Sequence, residues 1–202
     1  MSKLLRGHPR AGGDLLLFME TWKEFEANEL THSATHYLFA VHDLLQEQGY
    51  ARVTDVANKL NIARSSSSLG LKALAQKGFL KEDQNKFIQL TPKGKKTIEE
   101  IIGKKVILKR FFQDILQIPP HQAEIDTCKI EHLISSETGA KLLSFIRFMS
   151  TGNAQVKKVL QEFFDFEGKD TCPGVETCSI CEGTCLKDLI PNKKHLKVLS
   201  VK

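Results

Sequence analysis

Residues 54–78, Thr54-Asp55-Val56-Ala57-Asn58-Lys59-Leu60-Asn61-Ile62-Ala63-Arg64-Ser65-Ser66-Ser67-Ser68-Leu69-Gly70-Leu71-Lys72-Ala73-Leu74-Ala75-Gln76-Lys77-Gly78, decide the fold. Thr54 is a competent N-cap for a short helix over 55–60, in which Val56, Ala57 and Leu60 share one face. Asn61 and Ile62 supply a tight turn, and a second helix runs from Arg64 to Gln76 with Leu71 and Leu74 inward. Gly78 closes it. Two short helices around so brief a turn form a helix-turn-helix.

Downstream, Phe79-Leu80 and Phe87-Ile88-Gln89-Leu90 alternate as strands around the polar tip 82–86, and a hairpin in that place makes a winged helix. Thr91-Pro92 start a long helix reaching Ile115, with Pro in its first turn and Gly103 as a weak point. Pro119-Pro120 open another, over Ala123 to Leu133; Glu137 to Met149 form the next, and Val156 to Phe166 the last. Upstream, Ser33 caps a helix carrying Tyr37, Leu38, Val41, Leu44 and Leu45 that ends at Gly49, and Asp14 to Ala27 is patterned as an extra N-terminal helix. The fold expected is mainly α.

Charge follows the same division. The 202 residues carry a net +5, but residues 50–110 alone hold fourteen Lys and Arg against five Asp and Glu, a local +9. A basic block inside an acidic remainder is the electrostatic footprint of a nucleic-acid-binding module. Arg64, Ser65, Ser66, Ser67, Ser68 and Lys72 stand where a recognition helix needs small polar and basic side chains to read base edges. Lys81, Lys86 and Lys93, with Lys95 and Lys96, would hold phosphates, which sets affinity and its salt dependence rather than sequence choice.

At 41% hydrophobic and 26% charged the chain is an ordinary globular composition, which excludes wholesale disorder. Neither an apolar run of about 20 residues nor a secretion signal is present, so a cytoplasmic protein with no membrane partner is expected. No nucleophile–base pair, phosphate loop or paired carboxylates point to catalysis, and no enzyme is expected.

Cys128, Glu131 and His132 fall at i, i+3 and i+4, so on a helix a thiolate, a carboxylate and an imidazole project from one face. A metal could engage all three, with a fourth ligand from elsewhere; His36 is the best placed, and His32 lies one turn before it. The bland alternative is a buried Cys128 beside an exposed Glu131.

From about Ser33 to Met149 the chain resembles the iron- and manganese-dependent repressors of the diphtheria toxin repressor family. The resemblance rests on Gly49-Tyr50-Ala51-Arg52-Val53-Thr54-Asp55-Val56-Ala57, on Leu90-Thr91-Pro92-Lys93-Gly94 and, most specifically, on Asp126-Thr127-Cys128-Lys129-Ile130-Glu131-His132. It implies an N-terminal winged helix, a helical dimerisation domain and a metal site between them that governs operator binding. The implied ligands are His36, Cys128, Glu131 and His132. Their softness and nitrogen content favour Fe2+, with Zn2+, Co2+ or Mn2+ as alternatives. The family's ancillary site falls on Lys105, Lys109 and Glu124, and ammonium groups cannot ligate a cation; a Lys–Glu124 ion pair is expected there instead. A homodimer would present two recognition helices to a palindromic double-stranded operator.

The last feature is Cys172, Cys178, Cys181 and Cys185, spaced C-x5-C-x2-C-x3-C. A compact four-thiolate loop suits a [4Fe–4S] cluster, with structural Zn2+ or a redox disulfide pair as the other readings. The organisation expected is therefore an N-terminal extension with an extra helix (1–30), a winged-helix DNA-binding domain (31–95), a helical dimerisation and metal-binding domain (96–150), and a C-terminal helix with a small Cys-rich metal or iron–sulfur segment (151–202). The function expected is a metal-responsive, sequence-specific transcriptional repressor sensing iron at the His36 site, at the cysteines, or at both. The alternatives are an iron–sulfur or redox sensor that has lost the ancestral metal site, a single-input metalloregulator with a structural zinc, and a small electron carrier.

Overall fold

The structure is a computed structural model and describes residues 30–167 together with Lys23, which is helical. The N-terminal helix expected over Asp14 to Ala27, apart from Lys23, and the four-cysteine segment lie outside the described residues. The chain divides into two units at Ser150/Thr151. The described part of the first is seven helical and two strand segments; that of the second is one amphipathic helix.

Helix α1 (His32–Gln48) begins two residues earlier than the Ser33 cap would allow, because the Thr31 hydroxyl accepts from Ala34 N–H and takes the cap. It ends at Gly49 in the left-handed conformation. Helix α2 (Val53–Leu60) is capped by Asp55, whose carboxylate accepts from Arg52 N–H at 3.0 Å, rather than by Thr54. Asn61, at φ 53°, makes the tight turn into α3 (Arg64–Gln76). That completes the helix-turn-helix with the expected bounds for its second helix.

Strands β1 (Leu80–Glu82) and β2 (Ile88–Leu90) form an antiparallel hairpin in the register Leu80↔Leu90, Lys81↔Gln89 and Glu82↔Ile88. Phe79 is not part of it: its N–H closes α3 by donating to Leu74 O, and its carbonyl accepts from Thr91 N–H. At the tip, Asp83 Oδ1 accepts from Asn85 and Phe87 N–H, and Lys86 adopts φ 65°.

Thr91 caps α4 (Pro92–Arg110), its hydroxyl accepting from Gly94 N–H and donating to Gly78 O. Gly94 is required by a close approach, since a Cβ there would lie 2.0 Å from Phe79 O. Helix α4 passes through Gly103 without a break and gives way to a π-helical turn (Phe111–Ile115), so the long helix reaches Ile115 only by changing pitch.

Pro119 and Pro120 then open α5 (Pro120–Ile130). It stops short of Leu133, but Glu131 keeps helical angles (φ −55°, ψ −31°) and donates to Thr127 O. Ser135 caps α6 (Ser136–Met149), and α7 (Ala154–Glu167) forms the described part of the second unit.

One core joins the winged helix to α1 and the first half of α4: Leu38, Val41, Val56, Leu74, Phe79, Ile88 and Ile98 are all essentially buried. Truncating Leu38 or Ile98 to Ala would cost about 2–5 kcal/mol. No described helix is long and apolar enough to cross a membrane.

Candidate metal centre and DNA-reading helix

Helix α1 brings His32 and His36 to one face, and α5 brings Cys128 against them. Cys128 Sγ lies 3.4 Å from His36 Nε2 and 4.0 Å from His32 Nε2. The two imidazoles meet edge-on, with their Nε2 atoms 3.1 Å apart. The ligand atoms of all three residues lie within 4.8 Å of one another. His32, noticed in the sequence only as the residue one turn before His36, is thus a member of the tight group. Glu131 and His132 border it. The His132 ring is centred 5.3 Å from that of His32, and Glu131 is 1% exposed, with Oε2 3.9 Å from Lys105 Nζ.

Electrostatics match this geometry. Burial, aided by neighbouring His32, holds His36 and His132 below the ordinary histidine range, so both are neutral donors. Burial and the Glu131 charge push the Cys128 thiol up, and burial pushes the Glu131 carboxyl up to about 7 against the opposing pull of Lys105. The buried Glu131 Oε2 makes no hydrogen bond. A buried carboxylate oxygen so placed is costly unless something compensates it. Converging imidazole and thiol donors beside such an oxygen fit a divalent first-row metal.

One turn away on α5 the chemistry is reversed. Glu124 Oε1 lies 3.0 Å from Lys105 Nζ, and its Oε2 lies 2.8 Å from Lys109 Nζ, both on α4. The expected Lys–Glu124 pair is present, doubled, and its two ammonium groups draw the Glu124 carboxyl below its ordinary range.

The DNA-facing expectations fare unevenly. Arg64, Ser65, Ser66 and Lys72 are exposed on α3 and Ser68 is half-buried. Ser67 is a correction: it is fully buried, its hydroxyl donating to Val53 O at 3.1 Å, so it cannot reach a groove. On the wing Lys81 is exposed, while Lys86 pairs with Glu82 at 2.9 Å. Lys93 donates to Lys77 O and lies 4.3 Å over the Phe79 ring, so it is engaged by the fold itself.

Sequence patterning did not flag the join between metal centre and reading helix. Tyr37, next to His36, donates its hydroxyl to Ser66 O at 3.2 Å, and its ring fills the space a side chain at Gly70 would need; a Cβ there would lie 2.3 Å from it. The available signal was a glycine in the middle of a helix.

Comparison with known proteins finds two family models on the chain. Residues 29–86 match the family model for the iron dependent repressor N-terminal DNA binding domain, and residues 91–155 match that for the iron dependent repressor metal binding and dimerisation domain. The chain is 32% identical over 109 residues to the transcriptional regulator MntR of Salmonella typhimurium, covering 54% of this chain and 69% of that one. The chain belongs to the iron-dependent repressor family.

Within this family it is also 26% identical over 129 residues to the HTH-type transcriptional regulator MntR of Lysinibacillus sphaericus, covering 64% of this chain and 92% of that protein. Among solved structures, the manganese regulator SloR shares the fold at a TM-score of 0.52 and 18% identity, over 57% of this chain and 54% of its own. The chain thus spans about half the length of that solved regulator. Iron-dependent repressors are metal-dependent, DNA-binding regulators rather than enzymes, and the two matched domains indicate a DNA partner and a homodimer. In this chain His32 and His36 lie on the DNA-binding match and Cys128 on the metal-binding match, so the centre spans both.

Proposed function

We propose that this iron-dependent repressor homologue is a homodimeric transcriptional repressor in which occupancy of the centre formed by His32, His36, Cys128, Glu131 and His132 governs binding to a palindromic operator. The observation that carries the reading is the approach of Cys128 Sγ to His36 Nε2, 3.4 Å apart across 92 residues of sequence and between two domains. A divalent ion, Fe2+ before Zn2+ or Mn2+ on the softness of the donors, would cross-link α1 to α5. The chain's own residues do the rest. Tyr37 passes the position of α1 to α3 through its hydrogen bond to Ser66 O and its ring against Gly70. Arg64, Ser65, Ser66, Ser68 and Lys72 then face the major groove, and Lys81 and Lys86 face phosphates. Such a switch requires the ion to favour the binding-competent arrangement over the other.

The domain limits proposed are 31–95 for DNA binding and 96–150 for dimerisation and metal binding, flanked by 1–30 and 151–202. On Cys172, Cys178, Cys181 and Cys185 we place a [4Fe–4S] cluster, supported by the C-x5-C-x2-C-x3-C spacing, as a second iron input; Zn2+ is the alternative.

The test is anaerobic DNA binding with and without Fe2+, for the wild type and Cys128→Ala, alongside iron, sulfide and zinc content of the purified chain. Iron-dependent binding lost in Cys128→Ala supports the centre. Binding indifferent to both iron and the substitution refutes it. About four irons and four sulfides per chain support the cluster, and about one zinc with no sulfide replaces it.

A further inference from the structure

Leu69 is 70% exposed, the most exposed large hydrophobic side chain among the described residues, and it stands in the middle of the solvent face of α3. Ser65 and Ser66 precede it by four and three residues, and Lys72 and Ala73 follow it by three and four; all four are exposed. Ser67, Leu71 and Leu74 occupy the opposite, buried face. A single exposed leucine needs no explanation by itself. Its setting does, because α3 carries no acidic residue, lies within the +9 segment, and is the helix assigned above to the major groove.

A leucine can neither donate nor accept a hydrogen bond, so most of what the major groove presents is useless to it. The exception is the C5-methyl group of thymine, the one apolar group on a base edge there. We infer that Leu69 is a specificity-determining residue that reads a thymine by burying against its methyl group, with the serines and Lys72 fixing the helix on either side. This rests on the operator-binding reading, but concerns which base is read and by what chemistry.

Removing one methyl from such a contact corresponds to about a fourfold loss of affinity in each half-site. The experiment selects duplexes from a randomised library with the full-length protein and Fe2+ under anaerobic conditions. Each thymine of the enriched duplex is then replaced by deoxyuridine, which removes only the methyl, and binding is measured for the wild type and Leu69→Ala. Because Leu69 is solvent-exposed, the variant keeps its fold, checked by circular dichroism.

The expected result is one thymine per half-site whose replacement costs the wild type about fourfold and costs Leu69→Ala nothing. Silence at every thymine, or a cost undiminished in Leu69→Ala, overturns the inference while leaving operator binding intact. A selection that enriches no duplex overturns both.

Discussion

Helix α5 carries two polar clusters one turn apart, and they are opposite in character. Around Glu124, each carboxylate oxygen already has an ammonium partner, at 3.0 and 2.8 Å. Around Cys128, burial holds the His36 imidazole below the ordinary histidine range, the thiol is pushed up towards its protonated form, and the buried Glu131 Oε2 makes no hydrogen bond. The first cluster satisfies itself with the chain's own cations and has no electrostatic deficit for an added ion to fill. The second is a set of donors with a deficit. Residues alike in spacing differ in what completes them, and that difference separates a ligand-binding site from a strut.

The largest effect should come from breaking the open cluster. Cys128→Ala or His36→Ala is expected to lower metal affinity by more than about 100-fold, since losing even outer-shell partners of a metal typically costs 10–100-fold. Metal-dependent DNA binding should vanish with it, while circular dichroism stays unchanged. Metal titration by calorimetry checks this, and wild-type affinity in either variant would remove that residue from the centre.

Next in size is a substitution that leaves both clusters intact and cuts the open one from its output. Gly70→Ala places a Cβ 2.3 Å from the Tyr37 ring, so the ring must swing away from Ser66 or α1 and α3 must part. Overpacking of this kind costs about 1–3 kcal/mol. Thermal stability should fall and DNA affinity should drop by about tenfold or more, with metal affinity retained. Tyr37→Phe, which removes only the bond to Ser66 O, should show the same pattern more weakly.

The same contrast shows what a linear pattern can reveal. The helix-turn-helix was legible because its signals are local: Asn61 for the turn, Gly78 for the stop, Leu71 and Leu74 for the buried face. Helix α3 accordingly has the expected bounds. Ser67 was readable too, four residues before Leu71 and seven before Leu74, but four consecutive serines look alike until pitch is applied. The meeting of His36 with Cys128 was not readable from periodicity, since no local pattern joins residues 92 apart; it followed from the family resemblance. The engagement of Lys93 was hidden for a related reason. A basic block counts charges, whereas the bond from Lys93 to Lys77 O and its approach to the Phe79 ring show that this one is already in use.

A smaller effect is expected at the self-satisfied cluster. Glu124 and Lys109 are each 44% exposed and Lys105 is 32% exposed, so solvent and salt screen the pair. Glu124→Gln should cost less than about 1 kcal/mol, and should leave metal affinity within about threefold of wild type. A large loss of metal affinity would mean that the strut positions Glu131 through Lys105, and would join the two clusters into one device.

The smallest effect is in the pH dependence of that difference, and its sign follows from the ion pair. Lys109 and Lys105 hold the Glu124 carboxyl below its ordinary value of 4.5 in the folded chain. A carboxyl with a depressed folded value contributes stability that is fully present above its unfolded value and disappears as pH falls through the folded one. Near neutral pH the wild type should therefore exceed Glu124→Gln in urea midpoint. Below pH 4.5 the two should converge, because protonation removes from the wild type the charge the variant never had. Added salt at neutral pH should narrow the gap in the same direction. A gap that persists through acid would mean that Glu124 holds α4 to α5 by shape and hydrogen bonding rather than by charge, and the contrast with the open cluster would lose its electrostatic basis.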